Sequence, residues 1–145
     1  MIGLLQRVSA ANVVVAGDIT GEIGPGLLVL LGVERADRPI NADRLLARLL
    51  AYRVFADEAG RMNRSLADTG GGLLLVPQFT LAADTEKGLR PGFSRAADPA
   101  IARELFGYVL DQAMRLHPRV AAGRFGADMQ VSLTNDGPVT FWLEA

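Results

Sequence analysis

The side chains able to do chemistry are few. Thr80 carries a hydroxyl at the end of an apolar run, Leu73-Leu74-Leu75-Val76-Pro77-Gln78-Phe79-Thr80-Leu81. A threonine nucleophile needs an adjacent base, and the surrounding sequence supplies none, so Thr80 reads first as a strand threonine facing a cross-strand neighbour. His117 is the one histidine and cysteine is absent. That excludes disulfides, thiolate catalysis and cysteine-type zinc or iron–sulfur sites. It leaves a single candidate for a Ser-His-Asp triad or a His-rich metal site, and no spacing of carboxylates suggests a metal. His117 ends a helical pattern, where a cation favours the helix dipole, so its reading is structural. Asp84 and Glu86 read as loop solvation, not as a paired acid and base. Arg7, Lys87, Arg90, Arg95 and Arg124 either form a basic rim for a phosphate-bearing substrate or are scattered surface cations.

Asn135-Asp136-Gly137-Pro138-Val139-Thr140 is the second stretch of note. Met129, Val131 and Leu133 alternate with polar residues before it, and Val139, Phe141 and Leu143 alternate after it. Period-2 patterning on both sides of a turn tetrad predicts a hairpin. The unusual feature is Gly-Pro: proline removes a backbone donor beside a strand, and about 5–6% of X-Pro bonds in folded proteins are cis. A cis bond would turn the two carbonyls in a direction that a trans bond cannot, which is one way to build a polar site from backbone alone.

Several elements must hold these residues. Ile2 to Val8 and Asn12 to Val15 predict short strands, Ala16-Gly17-Asp18 a turn, and Ile19 to Ile23 a returning strand. Leu27 to Leu31, bounded by glycines, predicts a strand buried on both faces. Asp37 to Asn41 opens a helix with Leu45, Leu46, Leu49 and Leu50 on its apolar face. Arg61 to Leu66 predicts a short irregular strand. Gly70-Gly71-Gly72 is a turn without dinucleotide-site spacing. Pro77 cannot donate to a ladder, so the strand from Leu73 becomes an edge or ends there. Ala82 to Ala97 is a long polar loop. Asp98-Pro99 starts a helix whose apolar face is Ala102, Leu105, Phe106, Val109, Leu110, Ala113 and Met114, ending near His117-Pro118. The order predicts an α+β fold: one domain over 1–145, a mostly antiparallel or mixed sheet with two main helices.

With 145 residues, half of them apolar, the chain can bury one substantial core. The net charge is −1, from 15 basic and 16 acidic residues, so any nucleic-acid binding needs a local patch. Mean hydropathy is +0.22, too high for a disordered chain and compatible with a surface buried in an oligomer. The N-terminus lacks a signal peptide's basic region, and no apolar run approaches the ~18 residues of a membrane helix. A soluble, cytoplasmic protein is expected.

These residues by themselves name no reaction. Gln78-Phe79-Thr80-Leu81 together with Asn135-Asp136-Gly137-Pro138-Val139-Thr140, however, closely resembles the paired signature of the D-aminoacyl-tRNA deacylase family. Gln6-Arg7-Val8, Gly21-Glu22-Ile23-Gly24, Ala82-Ala83-Asp84-Thr85, Gly123-Arg124-Phe125 and Ala127-Asp128-Met129-Gln130-Val131 also resemble family sequence in family order. The resemblance spans essentially the whole chain.

The resemblance implies hydrolysis of the ester joining a D-amino acid to the terminal ribose of tRNA, and of glycyl-tRNA such as glycine mischarged on tRNA(Ala). It implies a metal-free and cofactor-free homodimer in which a cis Gly137-Pro138 of one subunit enters the other's active site and rejects L side chains, with Met129 and Phe125 also binding substrate. Gln78, Phe79 and Thr80 would form the catalytic wall through backbone N–H groups aimed at the developing oxyanion, with Thr80 as covalent nucleophile the alternative. Arg7, Lys87, Arg90 and Arg95 would contact tRNA. One departure stands out: the family usually has serine where this chain has Pro77. That leaves open a non-catalytic protein binding aminoacyl-tRNA or D-amino acids.

Overall fold

In the computed structural model, which describes residues 1–86 and 88–145, one strand of 14 residues, β1 (Ile2–Val15), takes the place of the two short strands expected from sequence. Everything else in the sheet is arranged along it. Its second half pairs antiparallel with β2 (Asp18–Ile23), its first half with β3 (Gly26–Gly32). After β3 come α1 (Pro39–Ala51), the small ribbon β4 (Phe55–Ala56) and β5 (Met62–Arg64), and the single-turn α2 (Leu66–Thr69). β6 (Gly72–Pro77) then lies parallel to β3. A 3-10 turn (Phe79–Ala82), a loop and α3 (Pro99–Leu116) lead to β7 (Val120–Ala122), which lies parallel to β6. β8 (Gln130–Glu144) runs along the remaining side of β1. The result is the expected α+β architecture, a mixed sheet with two main helices. No helix among the described residues is long and apolar enough to cross a membrane.

Side-chain alternation fills both faces of the sheet. Leu27, Val29 and Leu31 of β3, with Leu73 and Leu75 of β6, face α1 and α3, where Leu45, Leu46, Leu49, Leu105, Phe106 and Val109 meet them. Each leucine or valine withdrawn from water contributes roughly 1.5–3 kcal/mol, which makes this layer the main source of stability. Leu28, Leu74 and Val76 point the other way and pack with Val8, Ala11, Val13, Val15 and Ile23. That second face is closed because the sheet curls toward a barrel. β2 comes so near β7 that a Cβ on Gly21 would sit 2.7 Å from the Ala122 carbonyl oxygen. Both helices begin with proline in the first turn, as expected for Pro99 of α3, and Tyr108 of α3 donates to Asp43 of α1 at 2.9 Å. Met114, expected on the apolar face of α3, is exposed at its far end. Of the irregular strand expected over 61–66, only Met62–Arg64 is strand, because Ser65 caps α2.

The terminal hairpin is the main correction. Gln130–Thr134 pair with Val14–Ala10, and Thr140–Glu144 pair with Gln6–Ile2, all antiparallel to β1. The two halves therefore run in the same direction and are one strand. Between the pairs Gln6↔Thr140 and Val8↔Asn135, β8 spends five residues where β1 spends two. The surplus is thrown out as a loop at Asp136-Gly137-Pro138-Val139. An alternating pattern interrupted by turn residues looks alike for a hairpin and for a bulged strand; only the long partner, β1, distinguishes them.

Candidate active site

β6 ends at Pro77, and parallel pairing explains why proline fits there. Leu73 takes the Arg119 carbonyl, and the Leu75 carbonyl takes the Gly123 N–H, so odd-numbered residues of β6 face β7. The register with β7 stops at Leu75↔Ala122. A donor at position 77 would point beyond the end of β7, so the ladder loses nothing by having proline there. Gln78 faces the other way and its N–H is taken by Leu31 O at 2.8 Å. The chain then tightens into the 3-10 turn, where Leu81 N–H returns to Gln78 O at 3.3 Å. The N–H groups of Phe79 and Thr80, in the first positions of that turn, have no acceptor within it.

Phe79, which carries the first of these donors, lines a cavity of about 480 Å³, and Thr80 follows it in the turn without lining the cavity. Val76, Pro77, Gln78 and Phe79 supply one wall, Ala97, Pro99 and Ala102 the second, and Phe125, Gly126, Ala127, Met129 and Val131 the third. It lies beyond the carboxyl end of β6, where parallel strands commonly present ligand sites. The third wall is firmly set. Met129 Sδ accepts the Arg124 N–H at 3.3 Å, and the Arg103 guanidinium lies 4.9 Å over the Phe125 ring. No titratable side chain is among the described lining residues. The Thr80 hydroxyl is exposed and accepts a hydrogen bond from Gln78 Nε2, and among the described residues it donates to no base. His117 is buried with Nε2 2.6 Å from Gly71 O, at the start of β6. The cavity begins at Val76, so most of β6 separates it from that end, roughly 16 Å. A second concavity, of about 470 Å³, opens between Asn12, Glu22 and Ser132; it holds none of the candidate catalytic, substrate-binding or tRNA-contacting residues named from sequence.

Gly137 and Pro138 do not line the cavity in their own chain. The bond between them is cis, as the resemblance implies, and both residues are exposed. Arg7 fastens this tip: Nε donates to Asp136 O at 3.1 Å and lies 3.2 Å from Asp136 Oδ2, while Nη1 donates to Val54 O at 2.6 Å. Its side chain is only 16% exposed. The guanidinium offered from sequence as a tRNA contact is thus engaged within the chain. Val139 N–H reaches back to Asn135 Oδ1 at 3.1 Å, and Asn135 Nδ2 to Thr140 Oγ1 at 2.7 Å, closing the loop's base.

Of the other cations, Arg90, Arg95 and Arg124 are exposed, and Arg95 pairs with Glu34 at 2.9 Å. Lys87 lies outside the described residues. The structure therefore joins Gln78, Phe79, Phe125 and Met129 around one cavity, leaves Thr80 exposed next to Phe79 in the turn, and sets Arg7, Gly137 and Pro138 in another place. Two contributors escaped the sequence reading. Arg103 is a helix-surface arginine with no distinguishing pattern. Phe93 is an aromatic alone in a polar loop, a signal that was there to be read.

Comparison with known proteins gives a consistent result. A family model described as D-Tyr-tRNA(Tyr) deacylase matches residues 4–144. A "D-aminoacyl-tRNA deacylase" of Herminiimonas arsenicoxydans is 65% identical over 144 residues, covering 99% of this chain and 97% of that one. One from Stutzerimonas stutzeri is 65% identical over the full length of both chains. Among solved structures, a c-Myc DNA unwinding element binding protein superposes with a TM-score of 0.95 at 36% identity, covering 100% of this chain and 99% of the other. A probable eukaryotic D-amino acid tRNA deacylase shares the fold, with a TM-score of 0.77 at 18% identity over 99% and 98% of the two chains.

Proposed function

The chain belongs to the D-Tyr-tRNA(Tyr) deacylase family and is a D-aminoacyl-tRNA deacylase, and from that premise we propose that the cavity at the end of β6 holds the aminoacyl ester, with catalysis by placement and backbone donors. The observation that carries this reading is the free N–H of Phe79, in the wall of a cavity whose described lining holds no acid, base or nucleophile, with the free N–H of Thr80 next in the turn. An aminoacyl ester is already activated. Water adds to the carbonyl carbon, the two N–H groups take the developing oxyanion, and the ribose oxygen leaves with a proton, assisted by the neighbouring ribose hydroxyl. Such donors are individually worth about 10²–10³ in rate.

Selection against L residues is assigned to the Gly137-Pro138 tip of a second copy of the chain. Its support is that the tip is exposed, braced by Arg7, and absent from its own chain's cavity. Carbonyls at the tip would hold the substrate ammonium and leave no space for an L side chain, a filter by exclusion. Such a filter admits many D residues, and it admits glycine, which has no side chain to exclude. Phe125 and Met129 shape the opposite wall. Lys87, Arg90 and Arg95 are the proposed phosphate contacts, whereas Arg7 is assigned to the tip.

The test is deacylation of D-Tyr-tRNA, L-Tyr-tRNA and Gly-tRNA by purified wild type and Thr80→Ala. Release from the D and glycyl esters, with the L ester spared and Thr80→Ala within about tenfold of wild type, is expected. Equal rates on D and L esters would refute the filter. Loss of several orders of magnitude in Thr80→Ala would make the hydroxyl a nucleophile.

A further inference from the structure

The proposed function uses Phe79's backbone N–H and assigns its ring no role. That ring is 57% exposed and pairs with Phe93, itself 41% exposed, at a centroid distance of 5.0 Å and an interplanar angle of 50°. Two large apolar rings held together in solvent are costly unless something covers them. The chain holds Phe93 there deliberately. Asp84 and Gly92 exchange two backbone hydrogen bonds, at 2.8 and 2.9 Å, closing the loop just before it. Just after it, Ala96 N–H returns to Phe93 O at 3.1 Å, and Arg35 N–H binds Arg95 O at 2.9 Å. The ring is thus presented from a braced backbone. Arg90 and Arg95 are exposed on the same loop, within three residues of Phe93 in sequence.

We infer that the Phe79–Phe93 pair is a stacking platform for the single-stranded 3′ end of the tRNA, taking the base of a nucleotide that precedes the terminal adenosine. This rests on the reading of the cavity as the aminoacyl-ester site. Phe79 lines that cavity and also carries the exposed pair, so whatever strand leaves the cavity mouth on this side passes over the two rings. Aromatic faces accept any base, and flanking guanidinium groups serve the phosphates, the combination that single-stranded nucleic acid sites use. A chain with net charge −1 needs such a local arrangement to bind tRNA at all. The platform also gives the enzyme a grip on tRNA that is indifferent to the amino acid, which suits an enzyme whose substrates differ in their side chains.

The experiment compares D-Tyr-tRNA with 3′-O-D-tyrosyl-adenosine, which carries the terminal nucleoside alone, in wild type, Phe93→Ala, Phe93→Leu and Phe93→Tyr. Phe93→Ala and Phe93→Leu are expected to lose about tenfold in kcat/KM on the tRNA, through KM, the worth of one stacked base, and to change less than twofold on the adenosine ester. Phe93→Tyr restores the tRNA value. Equal losses on both substrates would overturn the inference, since the ring would then be shaping the cavity. So would full rescue by leucine, which packs but does not stack, or a change in oligomeric state in Phe93→Ala, which would make the pair a contact between copies. Failure of wild type to cleave either substrate would instead overturn the reading of the cavity itself.

Discussion

Replacing Arg7 by alanine separates two roles that one guanidinium can play. The side chain donates to two carbonyl oxygens, Asp136 O and Val54 O, and lies against the Asp136 carboxylate. A hydrogen bond from a charged donor contributes about 1.5–3 kcal/mol when its partner is shielded. The ion pair adds less than about 1 kcal/mol, because Asp136 is 59% exposed. Part of the loss is recovered as water reaches the freed carbonyls, so a net destabilisation of roughly 2–4 kcal/mol is expected. For a chain of this size that corresponds to a fall in Tm of about 5–15 °C. Arg7→Lys keeps the charge but cannot bridge both carbonyls and should fall between the two.

The functional readout is the ratio of kcat/KM on D-Tyr-tRNA and L-Tyr-tRNA. If the locked tip is the filter, a loss of about 2 kcal/mol in the locked arrangement permits the ratio to drop by up to about 30-fold. The salt dependence of tRNA affinity supplies the control. A phosphate contact at Arg7 would, on removal, lower the slope of log K against log salt by about 1; a tip brace leaves it unchanged. An Arg7→Ala protein with a lowered Tm, an unchanged D-to-L ratio and a shallower salt slope would refute the assignment of Arg7 to the tip.

Other outcomes follow from the same geometry. Gly137→Ala forces a residue with φ of 126° and puts its Cβ 2.8 Å from Val139 Cγ2 and 3.0 Å from Arg7 Nη2; strain of about 1–3 kcal/mol should appear in urea unfolding together with loss of D-ester hydrolysis. Pro77→Ser should cost only about 0.4–1 kcal/mol, through greater freedom of the unfolded chain, because no ladder bond is at stake; a larger change in the urea midpoint would contradict the strand-parity argument. The Asp68 carboxylate accepts the Ser65 N–H and Oγ–H at 2.8 and 2.7 Å, and those bonds hold its pKa below the ordinary 3.8. A lowered folded pKa gives stability that is present above the unfolded value and lost as pH falls through the folded one. NMR titration of Asp68 should therefore show a depressed midpoint, with amides of α2 losing exchange protection as it protonates, and Asp68→Asn should remove that acid dependence.

The parts of the fold that could be read in the sequence are those set by local chemistry. Asp98-Pro99 and the spacing from Ala102 to Ala113 give α3 its start and its buried face, and Leu45, Leu46 and Leu49 do the same for α1. The run from Leu27 to Leu31 is buried on both faces as its lack of alternation implies. The continuity of β1 was hidden because Ser9-Ala10-Ala11 lacks the β-branched bulk of its neighbours, and it is strand because β8 pairs across it, with β2 joining at Ala11. The same partner turns the supposed hairpin into an edge strand with a loop. Phe125 and Met129 entered through resemblance alone, since nothing in their spacing says that they face β6. Arg7 is separated from Asp136 by 129 positions, and no local pattern reports such a contact.

What the sequence hides and the geometry exposes is two separately braced regions. The cavity wall at Gln78-Phe79-Thr80 is fixed by Leu31 and the 3-10 turn, and the tip at Gly137-Pro138 by Arg7, Val54 and Asn135. Each has its own set of bonds, and neither set contains a residue of the other. If the tip of one copy is the filter for the cavity of another, as proposed, the two parts meet through packing between chains. In the proposed dimer the interface would therefore act as part of the site's geometry, and an error of about 1 Å in how two copies dock would reach the ester as directly as a change in Phe79 or Thr80.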